Sequence, residues 1–328
     1  MKFLNDIVKW GIIGAGNVCE KKSGPAFNKV PDSELVAVMR RNALKAEDYA
    51  RRHGVPKYYS RAEDLISDPE INAIYIATPP AFHATYALDA IEHGKPVYIE
   101  KPVTLDAGGC ELLIEASELH KVPAAVAHYR RRLSLFLKLR ELIETGVIGP
   151  VKLITLQLLQ SPENNLTANT EENWRVVPSV SGGGIFHDLA PHQLDIMNWL
   201  FGKPLSYKGA SFNQGKHFDA PDTTTLQVHY AGEIFLDGLW SFNVSETTME
   251  DRCEIFGEKG KLSFSFFRNP ELEIHSARGI EKLHLPYPEH IQQPMIADVV
   301  KYFRGKIPNP SPLEEALWTM QMMDCTLL

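Results

Sequence analysis

The segment VKWGIIGAGNV, residues 8–18, decides the fold class of this chain. An apolar run of strand length leads into the pattern Gly14-x-Gly16-x-x-Cys19, which falls where a helix would begin. In such a strand–turn–helix unit the first glycine makes the tight turn, and the second lets a pyrophosphate approach the backbone. Cys19 replaces the usual Gly or Ala, so the fingerprint is imperfect. We favour a dinucleotide site over a plain tight turn, formed by Gly14, Gly16, Asn17 and Val18.

Short apolar runs alternate with helical stretches from this segment to about residue 128. The runs ELVAVM, NAIYIAT, KPVYIE and VPAAVAH are separated by stretches such as NALKAEDYARRHG. Strands that alternate with helices of this length indicate βαβ units, and continuous apolar strands suit a parallel sheet with helices on both faces. We therefore predict an α/β fold whose first domain, residues 1–126, is a doubly wound parallel sheet of the Rossmann type.

The pattern changes after about residue 150, where strand-like segments follow one another through turns that contain glycine: VKLITLQLLQ, TTTLQVHYAGEIFLDGLWSFNV, DRCEIFGEKGKLSFSFF and LEIHSA. This succession predicts an α+β second domain, residues 127–328, with a large, mainly antiparallel open sheet. Helices are expected near 187–201, 291–304 and 313–327.

Composition narrows the class of protein. The chain has 328 residues, 44% hydrophobic and 23% charged, with a net charge of −7. This length exceeds one compact core and predicts two domains. Without a long Lys/Arg run, the acidic balance argues against nucleic acid or an anionic membrane as partner, and favours a small molecule. Polar residues interrupt the N-terminal apolar run, and no stretch is long enough to span a membrane, so we expect a cytoplasmic protein.

The four cysteines, Cys19, Cys110, Cys253 and Cys325, stand far apart. They form no C-x-x-C pair and have no histidine at zinc-binding spacing. We predict buried or half-buried free thiols and no metal site.

The end of the second strand bears on which dinucleotide binds. An NAD site usually has Asp or Glu there for the ribose 2′-OH, whereas arginine accommodates a 2′-phosphate. VAVMRRN places Arg40 and Arg41 at this position. A guanidinium can hold a phosphate by two hydrogen bonds, so we predict NADP(H), with NAD as the alternative cofactor. The other interpretation is a pair of solvated surface arginines.

Three further motifs complete a recognisable set: ATPPAFH (77–83), EKP (100–102) and GGGIFHDLAPHQLD (182–195). Together with GIIGAGNV, in this order, they resemble the Gfo/Idh/MocA oxidoreductases over nearly the whole chain. The resemblance implies a Rossmann domain, a second domain with a large open sheet, and reversible oxidation of a sugar or polyol hydroxyl. It also implies homodimers or homotetramers formed through the C-terminal sheet.

The EKP motif lies at the end of a predicted strand. Open parallel sheets bind ligands outside the carboxyl ends of their strands, which places Glu100 and Lys101 near a cofactor. The resemblance implies that Lys101 points at the reacting oxygen, where an ammonium can polarise a carbonyl or stabilise an alkoxide. It also implies cofactor contacts from Thr78, Pro79 and His83. For Glu100, a structural or ribose-binding role and a catalytic role stay open. The alternative for Lys101 is a strand-end lysine whose stem packs on the protein.

The histidine motif places Asp188 and His192 four residues apart, on one face of a helix. Asp195 lies one turn further along, and His187 projects elsewhere, which suggests a structural role. By resemblance, His192 is the general base in alcohol oxidation, and Asp188 lies near the substrate or orients the imidazole ring. Histidine suits this role because its ordinary pKa lies close to neutrality. An ordinary helical histidine is the other interpretation.

Four residues are secondary candidates for substrate contacts. Tyr129 and Arg130 match a family position that faces the cleft, although an interdomain linker explains them equally well. Trp174 and Arg175 offer an aromatic ring and a guanidinium that could stack on a sugar.

These observations favour an NADP(H)-preferring oxidoreductase that moves a hydride between nicotinamide and a sugar, polyol or sugar-derived carbonyl. Two alternatives stay open: an NAD(P)-dependent glycosidase of the same family with no net redox change, and a non-catalytic dinucleotide-binding sensor. Repeated turnover of aryl glycosides without net NADPH formation would identify the glycosidase. Lys101, Asp188 and His192 together argue against the sensor.

Overall fold

The computed structural model describes residues 1–163, 166 and 173–327. The chain divides into two compact units, the first formed by residues 1–129 with 288–317 and the second by 130–287 with 318–328. The sequence suggested one boundary, after residue 126. The structure differs in that 288–317 lies with the first unit, where the ring centroids of Phe303 and Trp10 are 5.5 Å apart.

Secondary structure alternates in the first unit and is rich in strands in the second. In chain order the strands are β1 (Val8–Ile13), β2 (Ser33–Met39), β3 (Lys57–Tyr59), β4 (Ala73–Ile76), β5 (Val97–Ile99), β6 (Ala124–Val126), β7 (Val151–Leu159), β8 (Ser206–Phe212), β9 (Thr223–Tyr230), β10 (Ile234–Ser241), β11 (Glu250–Gly257), β12 (Gly260–Phe264), β13 (Glu271–Ser276) and β14 (Gly279–His284). The helices are α1 (Asn17–Lys21), α2 (Gly24–Phe27), α3 (Ala43–His53), α4 (Ala62–Ser67), α5 (His83–Glu92), α6 (Ala107–His120), α7 (Ser134–Glu144), α8 (Pro178–Ser181), α9 (Gly184–Phe201), α10 (Gln293–Phe303) and α11 (Leu313–Asp324).

The first unit contains a six-stranded sheet in the order β3-β2-β1-β4-β5-β6. Every pairing in it is parallel, as the continuous apolar runs predicted. The strand order changes direction between β1 and β4, which is the switch point where open α/β sheets bind ligands. This confirms the predicted doubly wound parallel sheet.

Local signals set the helix ends of this unit. The Asn42 side chain caps α3 by accepting a hydrogen bond from the Lys45 backbone N–H at 3.1 Å. Gly54 ends the same helix with a positive φ of 65°, a conformation that glycine adopts at little cost. The Asp106 side chain likewise caps α6, accepting from the Gly109 N–H at 2.8 Å.

A cluster of aromatic rings lies in the core of the first unit. Trp10 is fully buried and lies 4.9 Å from the ring of Phe27, which in turn lies 5.1 Å from Tyr75. Tyr75 stacks on Tyr98 of the neighbouring strand at 5.3 Å. Large buried rings of this kind contribute much of the hydrophobic stabilisation of a domain.

The second unit contains an eight-stranded sheet in the order β14-β13-β12-β11-β7-β10-β9-β8. All its pairings are antiparallel except that of β7 with β10. The predicted mainly antiparallel sheet is therefore confirmed. On its buried side, Phe186 of α9 packs edge-on against Trp240 of β10, with centroids 5.0 Å apart.

The cysteines and the helices match two further expectations. Cys19, Cys110 and Cys253 are buried free thiols, and Cys325 is half-buried. Helices occur at all three predicted places, as α9, α10 and α11. Within the described residues, none of the helices combines the length and the apolar character that a membrane crossing requires.

Candidate active site

The glycine turn follows β1 at the carboxyl edge of the parallel sheet. Gly14 has a φ of +88°, and a Cβ atom there would lie 2.7 Å from Thr78 Cγ2, so only glycine fits. A Cβ atom on Gly16 would meet nothing closer than 3.8 Å, which leaves open space beside the backbone. Asn17 is exposed and Val18 half-buried at the start of α1. This open turn fits the approach of a dinucleotide pyrophosphate.

Cys19 explains how the imperfect fingerprint is tolerated. Its side chain is fully buried, and burial raises the pKa of the thiol to about 12. Its backbone carbonyl accepts a hydrogen bond from the Tyr49 hydroxyl at 2.8 Å. A small apolar side chain therefore packs where the third glycine or alanine would stand.

The TPP turn follows β4, the neighbour of β1. Thr78 is half-buried, and its Oγ1 is a buried atom with no hydrogen-bond partner among the described residues. Such an orphaned polar atom beside Gly14 suits a site that a ligand completes. Pro79 is also half-buried and precedes the 3-10 turn Pro80–Phe82.

His83 joins the TPP turn to the EKP turn. Its ring is fully buried, with Nε2 at 2.7 Å from the Thr78 carbonyl oxygen and Nδ1 at 2.9 Å from the Pro102 carbonyl oxygen. Burial lowers the pKa of the imidazole below its ordinary value. His83, predicted as a cofactor residue, thus connects the TPP turn to the EKP turn at the edge of the sheet.

Glu100 and Lys101 follow β5 at the same edge. The Glu100 carboxylate is buried and accepts hydrogen bonds from the Tyr75 hydroxyl at 2.5 Å and the Gln292 side-chain amide at 2.7 Å. It also accepts from the Lys101 backbone N–H at 3.2 Å. The Lys101 side chain is half-buried, and the Lys101–Pro102 peptide bond is cis. The Glu100 carboxylate at this strand end is therefore enclosed by protein donors.

Arg40 and Arg41 follow β2, on the other side of β1. Arg40 is half-buried, and its backbone N–H donates to the Tyr59 carbonyl oxygen at 3.2 Å. Arg41 is exposed, with its guanidinium carbon 5.4 Å from the centre of the Phe82 ring. The sequence analysis did not identify Phe82, because no residue near it in the sequence indicates a contact with the loop after β2.

In the second unit, α9 carries the histidine motif. His192 and Asp188 are both buried, at 6% and 9% exposure. The Arg175 guanidinium donates to the Asp188 carboxylate at 2.8 Å and lies 4.3 Å from the centre of the Trp174 ring. The structure therefore joins three of the predicted residues, Trp174, Arg175 and Asp188, into one contact chain.

A loop after β12 approaches the same histidine. The ring of Phe267 lies edge-on to His192 with centroids 5.9 Å apart, and the Arg130 guanidinium lies 4.7 Å from the same phenyl ring. Asp251 holds this loop by accepting the backbone N–H groups of Phe266, Phe267 and Arg268 at 2.6–3.2 Å. Sequence reasoning missed Phe267 and Asp251, because neither belongs to a motif.

The secondary candidates Tyr129 and Arg130 are both buried. The Arg130 guanidinium donates to the Phe266 carbonyl oxygen at 2.6 Å. This contact ties Arg130 to the loop that carries Phe267, and the substrate role of Tyr129 and Arg130 stays a prediction.

The glycine run at the start of α9 allows close packing against His187 and Ala220. The backbone of Gly183 passes beside the fully buried His187 ring, and a Cβ atom there would lie 2.1 Å from Nδ1. A Cβ atom on Gly184 would lie 2.6 Å from Ala220. Burial lowers the pKa of His187 to about 4. These contacts agree with a structural role for His187.

Two models of known families match this chain. Residues 8–128 match the oxidoreductase family with an NAD-binding Rossmann fold, and residues 136–263 match the GFO/IDH/MocA C-terminal domain.

Among curated proteins, the chain is 46% identical to oxidoreductase P35 of Formosa agariphila over 319 residues, which is 97% of each protein. It is 25% identical to inositol 2-dehydrogenase of Burkholderia vietnamiensis over 262 residues, which is 76% of this chain and 72% of that protein.

Solved structures share the fold at lower identity. An oxidoreductase of Thermotoga maritima superposes with a TM-score of 0.86 at 21% identity, covering 97% of this chain and 95% of the other. A levoglucosan dehydrogenase in complex with NADH and levoglucosan gives 0.83 at 21% identity, with the same coverage of both chains. On these matches, the chain is an NAD(P)-dependent oxidoreductase that belongs to the GFO/IDH/MocA family.

Proposed function

We propose that this protein is an NADP(H)-preferring oxidoreductase that interconverts an alcohol and a carbonyl on a sugar or polyol. The observation that carries the proposal is the arrangement at the carboxyl edge of the parallel sheet. The open Gly16 turn, the orphaned Thr78 hydroxyl and Lys101 follow the adjacent strands β1, β4 and β5. Curated relatives named for inositol and 1,5-anhydro-D-fructose support the substrate class.

The proposed chemistry divides the work between cofactor and protein. When bound, the nicotinamide supplies the hydride acceptor or donor. Lys101 stabilises negative charge on the substrate oxygen, and His192 takes the hydroxyl proton during oxidation or returns it during reduction. The proposal requires both side chains to reach the same hydroxyl. Arg175 holds Asp188 on the same helix that carries His192.

The preference for NADP(H) follows from the charges beside β2. The strand ends at Met39 and is followed by Arg40 and Arg41, so arginines take the positions where an NAD site usually has an acidic residue. Arg41 on Phe82 offers a flat cationic surface beside that position. Solved relatives have been crystallised with NAD⁺ or NADH, but at 17% and 21% identity they inform the fold and not the cofactor of this chain.

A substrate screen followed by two substitutions tests the proposal. Purified protein is offered myo-inositol, levoglucosan and 1,5-anhydro-D-fructose with NADP(H) and NAD(H), and reduced nicotinamide absorbance is recorded. On the best substrate, Lys101→Met and His192→Ala should each lower kcat by roughly 100-fold or more, because each removes charge or proton handling from the transition state. NADPH affinity, measured by fluorescence, should stay within about threefold of the unsubstituted protein, a difference below ~0.7 kcal/mol.

The matched controls are Lys95→Met and His229→Ala, at a lysine and a histidine outside the proposed site. Full turnover in both Lys101→Met and His192→Ala would refute the assignment. Turnover of an aryl glycoside without net change in reduced cofactor would instead establish the glycosidase.

A further inference from the structure

The Glu100 carboxylate is surrounded by donors from three separate parts of the first unit. Tyr75 belongs to β4, Lys101 is its chain neighbour, and Gln292 immediately precedes α10. Glu100 is 6% exposed, Tyr75 and Gln292 are fully buried, and burial raises the pKa of the Tyr75 phenol well above its ordinary value. Tyr75 therefore stays protonated and donates, so the carboxylate is occupied by protein groups.

The contact from Gln292 crosses 192 positions of sequence. The same short segment is anchored at the C-terminal end of α1, since its Gln292 backbone N–H donates to the Lys22 carbonyl oxygen at 3.4 Å. His290 Nδ1 lies 2.9 Å from the Lys21 carbonyl oxygen, and Lys29 donates to Nε2 of that ring at 2.6 Å. Residues 290–292 thus connect the end of α1 to the EKP turn.

We propose that Tyr75, Glu100 and Gln292 form a positioning cluster for Lys101. The cluster acts through the hydrogen bond from the Lys101 backbone N–H to Glu100, which fixes the turn from which the lysine side chain extends. Glu100 is then a positioning residue and contacts neither cofactor nor substrate. This inference rests on the proposed function for the role of Lys101.

The chain contains a matched pair of tyrosines for testing this cluster. Tyr75 and Tyr98 are both fully buried, lie on the adjacent strands β4 and β5, and stack on each other. The Tyr75 hydroxyl is bonded to Glu100, whereas the Tyr98 hydroxyl has no hydrogen-bond partner among the described residues. Removing each hydroxyl by substitution with phenylalanine changes one polar atom and leaves the aromatic packing intact.

The first measurement needs no substrate. Backbone hydrogen exchange over residues 97–105 is followed by mass spectrometry in Tyr75→Phe, Tyr98→Phe, Gln292→Ala and Gln293→Ala. Tyr75→Phe and Gln292→Ala should exchange the Lys101 amide roughly five- to tenfold faster than the unsubstituted protein, the factor expected from one buried hydrogen bond. Tyr98→Phe and Gln293→Ala should exchange it at the original rate.

The second measurement is catalytic. On the substrate found by the screen, Tyr75→Phe and Gln292→Ala should lower kcat by roughly 10- to 100-fold with little change in KM, because misplacement of a catalytic group acts on the transition state. NADPH affinity should be unchanged. The exchanged pair Glu100→Gln/Gln292→Glu restores a carboxylate–amide contact and should recover part of the activity that Glu100→Gln loses.

The two hypotheses can fail separately. If Tyr75→Phe and Tyr98→Phe give the same exchange rates and the same kcat, the positioning cluster is refuted, whatever Lys101 does. A loss of NADPH affinity in Glu100→Gln that matches its loss of kcat would also refute it, because Glu100 would then bind cofactor. If Lys101→Met retains full turnover, the proposed function fails, and the exchange measurement still decides whether the cluster holds the turn.

Discussion

At the scale of single residues, hydrogen-bond partners distinguish side chains that look equivalent in the sequence. Glu100 and Lys101 are neighbours at one strand end, and the glutamate carboxylate there has three donors around it. The sequence predicted the position of both residues, because the carboxyl end of a parallel strand is where sites form. It could not predict the partners of Glu100, since Gln292 is brought in by tertiary structure alone.

A first prediction concerns the arginines after β2. The double substitution Arg40→Ser/Arg41→Ser should weaken NADPH binding by roughly 10- to 100-fold, because two charge-assisted contacts to a 2′-phosphate are lost. NADH binding should stay within about threefold, since NADH lacks that phosphate. Fluorescence titration with both cofactors measures the ratio.

The control is Arg51→Ser, at an arginine of α3 whose side chain is 78% exposed. If the double variant loses equal affinity for NADPH and NADH, the arginines do not bind the 2′-phosphate.

At the scale of elements, the sequence predicted whether each sheet is parallel or mainly antiparallel better than it predicted how many strands each sheet contains. Long apolar runs identified β1, β2, β7, β9 and β10 because burial on one or both faces leaves a clear pattern. Three strands were missed, β3, β8 and β14, and all three are edge strands whose residues are half-buried or exposed. Edges carry such residues because an apolar edge would pair with other chains.

One contact between elements carries a second prediction. Arg131, in the 3-10 turn Tyr129–Arg132, holds Asp195 of α9 by two hydrogen bonds of 2.6 and 2.9 Å, with both side chains at most 2% exposed. Arg131→Met should lower the free energy of unfolding by about 3–5 kcal/mol, because it leaves a buried carboxylate without its guanidinium. Urea denaturation at pH 7 measures the change.

The companion variant Arg131→Met/Asp195→Leu removes both charges and should regain most of that loss. As a control, Arg140→Met breaks an exposed pair with Glu144 and should cost no more than about 1 kcal/mol. A cost for Arg131→Met no larger than that of Arg140→Met would contradict the prediction.

At the scale of the whole molecule, pH acts on stability through buried groups. His187 is neutral in the folded chain, since burial lowers its pKa from 6.5 to about 4. Below pH 6.5 the unfolded chain binds a proton at this residue that the folded chain does not bind. The free energy of unfolding should therefore fall by about 1.4 kcal/mol for each pH unit from 6.5 down to about 4.

Urea denaturation at intervals between pH 7 and 4 tests this slope. His187→Leu should flatten it, whereas His229→Gln, at a half-buried histidine of β9, should not. Glu20 acts in a lower range, because the Arg52 side chain holds its pKa at about 2 and its contribution is lost only as pH falls from about 4.5 towards that value. An unaltered slope in His187→Leu would assign the pH dependence to other groups.

The open sheet leads to a prediction about assembly. Leu153 of β7 and Phe235 of β10 are register partners with 36% and 40% exposure, on the face away from the buried side chains of these strands. We propose that this face joins copies of the chain into a homodimer or homotetramer, since exposed apolar patches mark interaction sites. Light scattering after gel filtration should give the mass of an oligomer, and Leu153→Glu/Phe235→Glu should reduce it to that of a monomer. Lys203→Glu is the control, and a monomeric unsubstituted protein would refute the proposal.

Because residues 288–317 belong to the first unit, this unit cannot complete its folding until late in translation. The ribosome synthesises the first 129 residues long before it adds Gln292. The parallel sheet of the nascent chain therefore lacks the Gln292 contact to Glu100 until late in translation. Until then Glu100 is a carboxylate lacking one of its donors. We expect the nascent chain to acquire its strands early and to complete the EKP turn only near the end of translation.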